Sequence, residues 1–201
     1  MRGTFLKDLM NLRGQFVYYG LIAVIFFVVA ALTGNIYYFA GLSIFCGVVA
    51  PVSALAYDEK DNWDKFALAS GVTRSSLALS RYLLGLTLLV PVWALSFALF
   101  ALPSFRTSEN LYTVLAYGGL GLAVLAIVLP LVFKIGVEKA RTIYIVIVVA
   151  VMVLCVSAAS FIELVAPSAA FAGSVAIIVV GVLGVPVSVC VSLAIYRNKD
   201  F

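Results

Sequence analysis

Six long apolar runs constrain this 201-residue chain more than any other feature of its sequence. They occupy 16–33, 36–56, 82–102, 111–133, 142–162 and 171–195. Each run is close to the roughly 20 residues that an α-helix needs to cross a membrane hydrocarbon core of about 30 Å. Hydrophobic residues make up 65% of the chain and charged residues 11%, whereas soluble domains hold about 45–50% and about 25%. The sequence therefore predicts an all-α membrane protein with six transmembrane helices in a single domain, 1–201.

The basic residues predict how these helices are oriented. Twelve of the 13 Lys and Arg residues lie in the N-terminal segment, in the loops after the second and fourth runs, and in the C-terminal tail; Arg106 is the exception. The positive-inside rule then places both termini in the cytoplasm. Because these residues are spread over several short segments, we expect no nucleic-acid partner. The chain is therefore expected to cross its membrane several times.

The segment 1–15 has the pattern of an amphipathic helix that lies in the membrane interface. Its apolar positions recur at helical spacing: Phe5, Leu9, Leu12 and Phe16. Its polar positions cover the remaining surface: Lys7, Asp8, Asn11 and Arg13. A signal peptide is the competing interpretation, but the apolar run that follows is long and further runs come after it.

The loop 57–81 is the only long polar segment between apolar runs. Its spacing predicts a short polar helix over roughly 58–69, with Asp58 as its N-cap. Asp61 and Lys65 form an acid-before-base pair four residues apart, which stabilises a helix. Trp63 and Phe66 fall on one face of this helix and form an aromatic ridge.

The end of that short helix and the start of the next one are also marked. Gly71 is expected to end the short helix, and Thr73 or Ser75 is expected to cap the following one. On the opposite side of the membrane, the irregular stretch 157–171 is a candidate re-entrant or interfacial segment.

No charged residue lies well inside any of the six runs. A charge at the bilayer centre costs at least about 2.5–3.5 kcal/mol and is kept mainly for ion pathways and proton relays. Energy for uphill transport would therefore have to come from outside the membrane. Hydroxyl residues within the runs are candidates for a weakly polar translocation surface, with ordinary helix packing as the alternative: Ser43, Ser53, Thr87, Ser96 and Tyr117.

The sequence predicts no catalytic, cofactor or metal site. The chain has no His, and no base is placed to activate a Ser or Cys nucleophile. It also lacks the phosphate-binding motif G-x-x-x-x-G-K-[ST]. The four acids of the polar loop lack the glycine turn and spacing of a calcium loop, so a solvated helix is the preferred interpretation.

The stretch Ala56–Gly85, AYDEKDNWDKFALASGVTRSSLALSRYLLG, resembles a signature of the ABC-2-type permeases, specifically a small bacterial group with six helices. The matching positions are Ala56, Tyr57, Asp58, Glu59, Trp63, Asp64, Phe66, Leu68, Thr73, Arg74, Arg81, Tyr82, Leu83 and Leu84. The early Lys7-Asp8-Leu9 also fits the group. Gly71 departs from it, because a proline is expected before the turn.

This resemblance implies the membrane subunit of an ATP-driven exporter, located in a bacterial cytoplasmic membrane. Two permease subunits, identical or related, would form the pathway, and two cytoplasmic ATPase subunits would bind ATP and Mg²⁺. This chain would then not be an enzyme itself. The resemblance also implies that the loop 57–81, between the second and third transmembrane helices, holds a coupling helix that docks on the ATPase.

The residues of the loop agree with a docking role. An aromatic ridge rimmed by charges suits an interface anchor, although an interfacial aromatic belt is the alternative. The candidate ATPase-docking residues are Tyr57, Asp58, Glu59, Trp63, Asp64, Lys65, Phe66 and Arg74.

An uncharged membrane interior points to an amphipathic or hydrophobic substrate: a peptide, a lipid-like molecule or a drug. Two alternatives come from other classes of protein. One is the substrate-binding membrane component of an energy-coupling-factor importer, and the other is a membrane scaffold or immunity protein that transports nothing.

Overall fold

The computed structural model describes residues 2–140, 142–143, 145–147, 149–150, 153 and 170–197. Within these residues all regular structure is helical. The helices are α1 (Arg2–Asn11), α2 (Arg13–Thr33), α3 (Tyr37–Lys60), α4 (Trp63–Ala69), α5 (Arg74–Phe100), α6 (Ser108–Ile135) and α7 (Ala170–Arg197). A 3₁₀-helix, Pro103–Phe105, lies between α5 and α6. Residues 137–140 are also helical.

Five helices are long and apolar enough to cross a membrane: α2, α3, α5, α6 and α7. They correspond to five of the six predicted runs. The remaining run, 142–162, lies mostly outside the described residues, as does nearly all of the stretch 157–171.

Local sequence signals account for the main helix boundaries. Gly34 ends α2 in the left-handed conformation, with φ of 69°, which costs glycine little because it has no Cβ. The Thr73 hydroxyl accepts a hydrogen bond from the Ser76 N–H at the start of α5. Of the two caps predicted there, Thr73 is the one that forms the bond.

The four prolines of the predicted runs all lie inside helices: Pro51, Pro91, Pro130 and Pro186. Proline is tolerated inside a transmembrane helix because neighbouring helices can satisfy the backbone groups it leaves unpaired.

The core lies where α6 packs against α3, α5 and α7. Val48, Leu125, Leu129 and Phe133 are almost fully buried in it. The ring of Tyr196, near the end of α7, meets the Phe133 ring edge-on, with 4.8 Å between the ring centres.

Two glycines bring α6 and α7 into close contact. A Cβ atom on Gly181 would lie 2.3 Å from the carbonyl oxygen of Gly119. A Cβ on Gly119 would lie 2.7 Å from the Cα of Ile178. Small residues allow helix backbones to approach one another closely in membranes, so these glycines set the distance between the two helices.

A group of three buried hydroxyls joins α5 to α7. The Tyr82 hydroxyl lies 2.6 Å from the Ser188 oxygen and 2.7 Å from the Ser192 oxygen. Ser188 also donates a hydrogen bond to the carbonyl oxygen of Ala126 in α6. The group therefore satisfies its own polar atoms inside an apolar bundle.

Candidate functional site

Most of the charged residues of the described helices gather at one end of the bundle, where α1, α3, α4, α5, α6 and α7 meet. We call this the charged end. It is the end at which Lys7, Asp58, Arg81, Val137 and Tyr196 lie, and contacts between residues distant in sequence link them there. Its parts are an ion cluster, the short helix α4, and two hydrogen-bonded helix ends.

The ion cluster consists of Lys7, Asp8, Asp58 and Arg81. The Arg81 guanidinium pairs with both carboxylates. The Lys7 amine pairs with Asp58 and lies 3.1 Å from Asp8. Arg81 is 1% exposed, Asp58 3% and Asp8 0%. Both acids and Arg81 are therefore removed from water together, and with Lys7 the set has no net charge.

Neutrality makes this burial possible. An isolated buried ion costs several kcal/mol, and only close opposite charges offset that cost. Lys7 lies at the edge of the cluster, and its side chain is 19% exposed. Burial lowers the pKa of the Lys7 amine, while the Asp8 carboxylate acts in the opposite direction.

The cluster ties three helices together: α1 through Lys7 and Asp8, α3 through Asp58, and α5 through Arg81. This corrects the prediction that Asp8 lies on the exposed polar surface of an amphipathic helix. The side of α1 that faces the protein holds Thr4, Asp8 and, just after the helix, Leu12, while Leu6 and Met10 are exposed. Arg81 draws Asp8 inward because it supplies a buried opposite charge.

Helix α4 is shorter than predicted and begins later. Asp58 is not an N-cap: it belongs to the last turns of α3, which runs on to Lys60. Asn62, in the left-handed conformation with φ of 51°, separates α3 from α4. Asp61 and Lys65 consequently do not share one helix, so the predicted pair between them is wrong.

The aromatic ridge of α4 forms as predicted. The Trp63 and Phe66 ring centres are 5.4 Å apart. Trp63 is half-buried beneath the Lys7 amine, which lies 4.5 Å from the centre of its ring. Phe66 is 62% exposed. The ridge thus has one anchored ring and one free surface.

Hydrogen bonds connect this region to the C-terminal end of α7. The Tyr196 hydroxyl donates to Asp64 at 3.1 Å. The Arg74 guanidinium donates to the carbonyl oxygens of Tyr196, at 3.2 Å, and Arg197, at 2.6 Å. Arg74 thereby satisfies carbonyl groups that have no partner within the helix and places a positive charge at the negative end of the α7 dipole.

Glu59 forms the corresponding bond at a helix N-terminus. Both of its carboxylate oxygens accept from the Val137 N–H, at 3.1 and 2.9 Å. Val137 follows Gly136, which ends α6 with φ of 81° and ψ of 164°. Asp58 and Glu59, although adjacent, therefore contact different helices at the charged end.

The eight candidate docking residues divide into two sets. Four have side chains engaged within the chain by the contacts above: Asp58, Glu59, Asp64 and Arg74. Tyr57, Lys65 and Phe66 are exposed, and Tyr57 accepts a hydrogen bond from Gln15. Trp63 belongs to neither set, because it is half-buried and contacts Lys7.

The five candidate translocation residues occupy different environments. Ser43, Thr87 and Ser96 donate to carbonyl oxygens of their own helices. Ser43 and Ser96 are buried and Thr87 is exposed, whereas Ser53 and Tyr117 are half-buried. Tyr117 packs near Gly41.

Sequence reasoning missed the ion cluster, although every member appears in the predicted segments. Lys7, Asp8, Asp58 and Arg81 all coincide with positions of the family resemblance. That coincidence was the available signal, because motif positions that flank apolar runs lie at similar membrane depths. It does not specify which charges meet.

One of three comparisons with known proteins found a match. A family model described as "ABC-2 family transporter protein" matches residues 3–197. The comparisons with curated proteins and with solved structures found no match. The family match favours a permease over an energy-coupling-factor component and over a membrane scaffold. The chain therefore belongs to the ABC-2 family of transporter proteins.

Proposed function

We propose that this chain is the membrane subunit of an ATP-driven exporter, and that its charged end binds an ABC ATPase. The observation that carries this proposal is Phe66. A large apolar ring that is 62% exposed, set among charged residues, has the character of an interface anchor. Members of the family work with ABC ATPase partners, which supports an ABC ATPase as the protein that would cover the ring.

Helix α4 would be the docking helix. Trp63 holds it against the bundle and Phe66 projects from it, so the helix offers a rigid anchor that loses little conformational entropy on binding. Tyr57 and Lys65 are exposed beside the ring and would determine which partner fits. Asp58, Asp64 and Arg74 would act indirectly, by holding the docking helix in place, whereas the Glu59 carboxylate bonds to the Val137 N–H and not to α4.

The membrane topology follows from the same proposal. The charged end would face the cytoplasm of a bacterium, because it carries most of the basic residues. A sixth spanning helix over 142–162 would complete the bundle. Two permease copies would then enclose the pathway, with the hydroxyl residues Ser53 and Tyr117 among the candidates to line it.

The substrate would be amphipathic or hydrophobic. The charges of the described spanning helices lie near the helix ends, so the interior offers no fixed charge to pair with a small ion. ATP and Mg²⁺ would be bound by the partner subunits.

The proposal is tested by co-purifying the chain with its cognate ABC ATPase. Phe66→Ala should weaken the complex by about 2 kcal/mol, roughly thirtyfold in affinity. Trp63→Ala combined with Phe66→Ala should abolish both the complex and the stimulated ATP hydrolysis. Tyr38→Ala is the matched control, because Tyr38 is an exposed aromatic at the opposite end of the bundle. Equal affinity for the Phe66→Ala variant and the unmodified chain would refute docking through α4.

A further inference from the structure

The joint between α6 and the helix that begins at Val137 depends on a residue from another part of the chain. Gly136 has φ of 81° and ψ of 164°, a backbone region that is essentially restricted to glycine. Glycine can adopt many other backbone conformations at little cost. A contact from elsewhere in the chain must therefore hold the joint in its observed conformation. The nearest such group is the Glu59 carboxylate.

Glu59 contacts the joint in two ways. Its two oxygens accept from the Val137 N–H, which is one of the backbone donors that a helix N-terminus leaves unpaired. Its Oε1 atom also fills the space beside Gly136, since a Cβ there would lie 2.8 Å from it. The negative charge is favourable at this position because the helix dipole is positive at its N-terminus.

The helix that follows is firmly packed. Val137 and Ala140 are 3% and 0% exposed and belong to the same core as Val132 and Phe133 of α6. A shift of Glu59 would therefore move a packed helix end and not a loose loop. Glu59 itself lies in the last turn of α3, four residues before Trp63.

We propose that Glu59 is a positioning residue that couples the backbone conformation at the Gly136 joint to the position of the docking helix α4. A displacement of α4 then reaches α1 and α5 through the Asp58 ion cluster, and reaches the helix beginning at Val137 through Glu59. The inference rests on the proposed function in one respect: the ATPase would be what displaces α4. The bond between Glu59 and Val137 lies within this chain and does not depend on a partner.

The joint can be measured without an ATPase. Spin labels at Lys60 and Lys139, both exposed, report the distance between the end of α3 and the helix that begins at Val137, once Cys46, Cys155 and Cys190 are replaced by alanine. In lipid nanodiscs the unmodified chain should give one narrow distance distribution. Glu59→Ala should widen it roughly twofold, because the joint then samples further conformations.

Three further variants make this measurement specific. Glu59→Gln should give an intermediate width, since its amide oxygen still accepts from the Val137 N–H but carries no charge. Gly136→Ala should also widen the distribution, because its methyl group displaces the Glu59 carboxylate. Glu138→Ala, which removes an exposed acid from the same helix end, should leave it unchanged. An unchanged distribution in Glu59→Ala overturns the proposal.

The complex with the ATPase supplies a second readout. Glu59→Ala should leave the half-saturating ATPase concentration unchanged and lower the maximal stimulated rate several-fold, because the docking surface is intact while transmission is impaired. A loss of binding with an unchanged maximal rate contradicts a positioning role. Should the unmodified chain bind no ATPase, the proposed function fails, and the distance measurement still decides whether Glu59 holds the joint.

Discussion

The side-chain amine of Lys7 lies 4.5 Å from the centre of the Trp63 ring. This cation–π contact connects α1 to α4. Contacts of this kind contribute about 0.5–2 kcal/mol, depending on how well water is excluded. The position of the aromatic ridge therefore depends on the N-terminal helix.

Replacing Lys7 by methionine should loosen α4. Arg81 still pairs with both carboxylates in this variant. Lys7 lies at the solvent-exposed edge of the cluster, so the bundle should remain folded with one negative charge in excess while Trp63 loses its cation. We expect stronger quenching of tryptophan fluorescence by acrylamide, with a loss of local stability of about 0.5–2 kcal/mol. Lys65→Met is the control, since Lys65 is an exposed lysine of α4 itself. Identical quenching in the two variants would contradict the contact.

Removing Arg81 alone from the ion cluster should lower the unfolding free energy more than removing a pair of opposite charges. Arg81→Met leaves Asp8 and Asp58 buried without their main partner, and we expect a loss of about 3–5 kcal/mol in unfolding free energy. Asp8→Asn combined with Arg81→Gln restores neutrality and should recover part of that loss.

Thermal unfolding in detergent measures these differences in the cluster. Arg106→Met is the control, because Arg106 is exposed at the opposite end of the bundle. Should the double variant prove less stable than Arg81→Met, charge balance is not what stabilises the cluster.

Adding a methyl group should affect stability differently at two glycines of α7. Gly181→Ala places a Cβ 2.3 Å from the Gly119 carbonyl oxygen, and the resulting overpacking should cost about 1–3 kcal/mol. Gly184→Ala meets only the Ala126 Cβ at 3.7 Å, an ordinary contact, and should be neutral or slightly stabilising. Unfolding temperatures of the two variants, compared in the same detergent, check the difference; similar values would argue against the close approach of α6 and α7.

Tyr82→Phe should destabilise the bundle modestly. The variant removes the hydroxyl that meets Ser188 and Ser192, and interhelical hydrogen bonds in membrane proteins average about 0.6 kcal/mol. We expect a loss of about 0.5–1.5 kcal/mol, measured by thermal unfolding. Tyr18→Phe serves as the control, because Tyr18 is exposed on α2. A loss no larger than that of the control would mean that the hydroxyl group does not join α5 to α7.

The spanning helices were predictable because their signal is local. A run of about 20 apolar residues is sufficient to predict a transmembrane helix, and α2, α3, α5, α6 and α7 each contain one. The Thr73 cap and the turn at Gly71, which follows α4 with φ of 86°, were predictable for the same reason: each depends on a few neighbouring residues.

The end of α3 was mispredicted because its stability is not local. The polar residues Tyr57–Lys60 resemble the start of a new helix when only their neighbours are considered. In the structure, Asp58 pairs with Lys7 and Arg81, which lie 51 and 23 residues away in sequence, and Glu59 bonds to Val137. These distant partners stabilise further turns of α3, and helical periodicity carries no information about them.

The ion cluster has a consequence for the order in which the protein is made. Synthesis proceeds from the N-terminus, and early segments begin to fold first. Lys7 and Asp8 therefore emerge before Asp58, and Arg81 emerges last of the four. Until the polypeptide has grown past Arg81, the Asp8 carboxylate lacks the guanidinium that pairs with it in the finished bundle, so burying α1 is unfavourable before that point. Packing of α1 against the bundle is thus expected late in synthesis, after α5, the helix that carries Arg81, has been made.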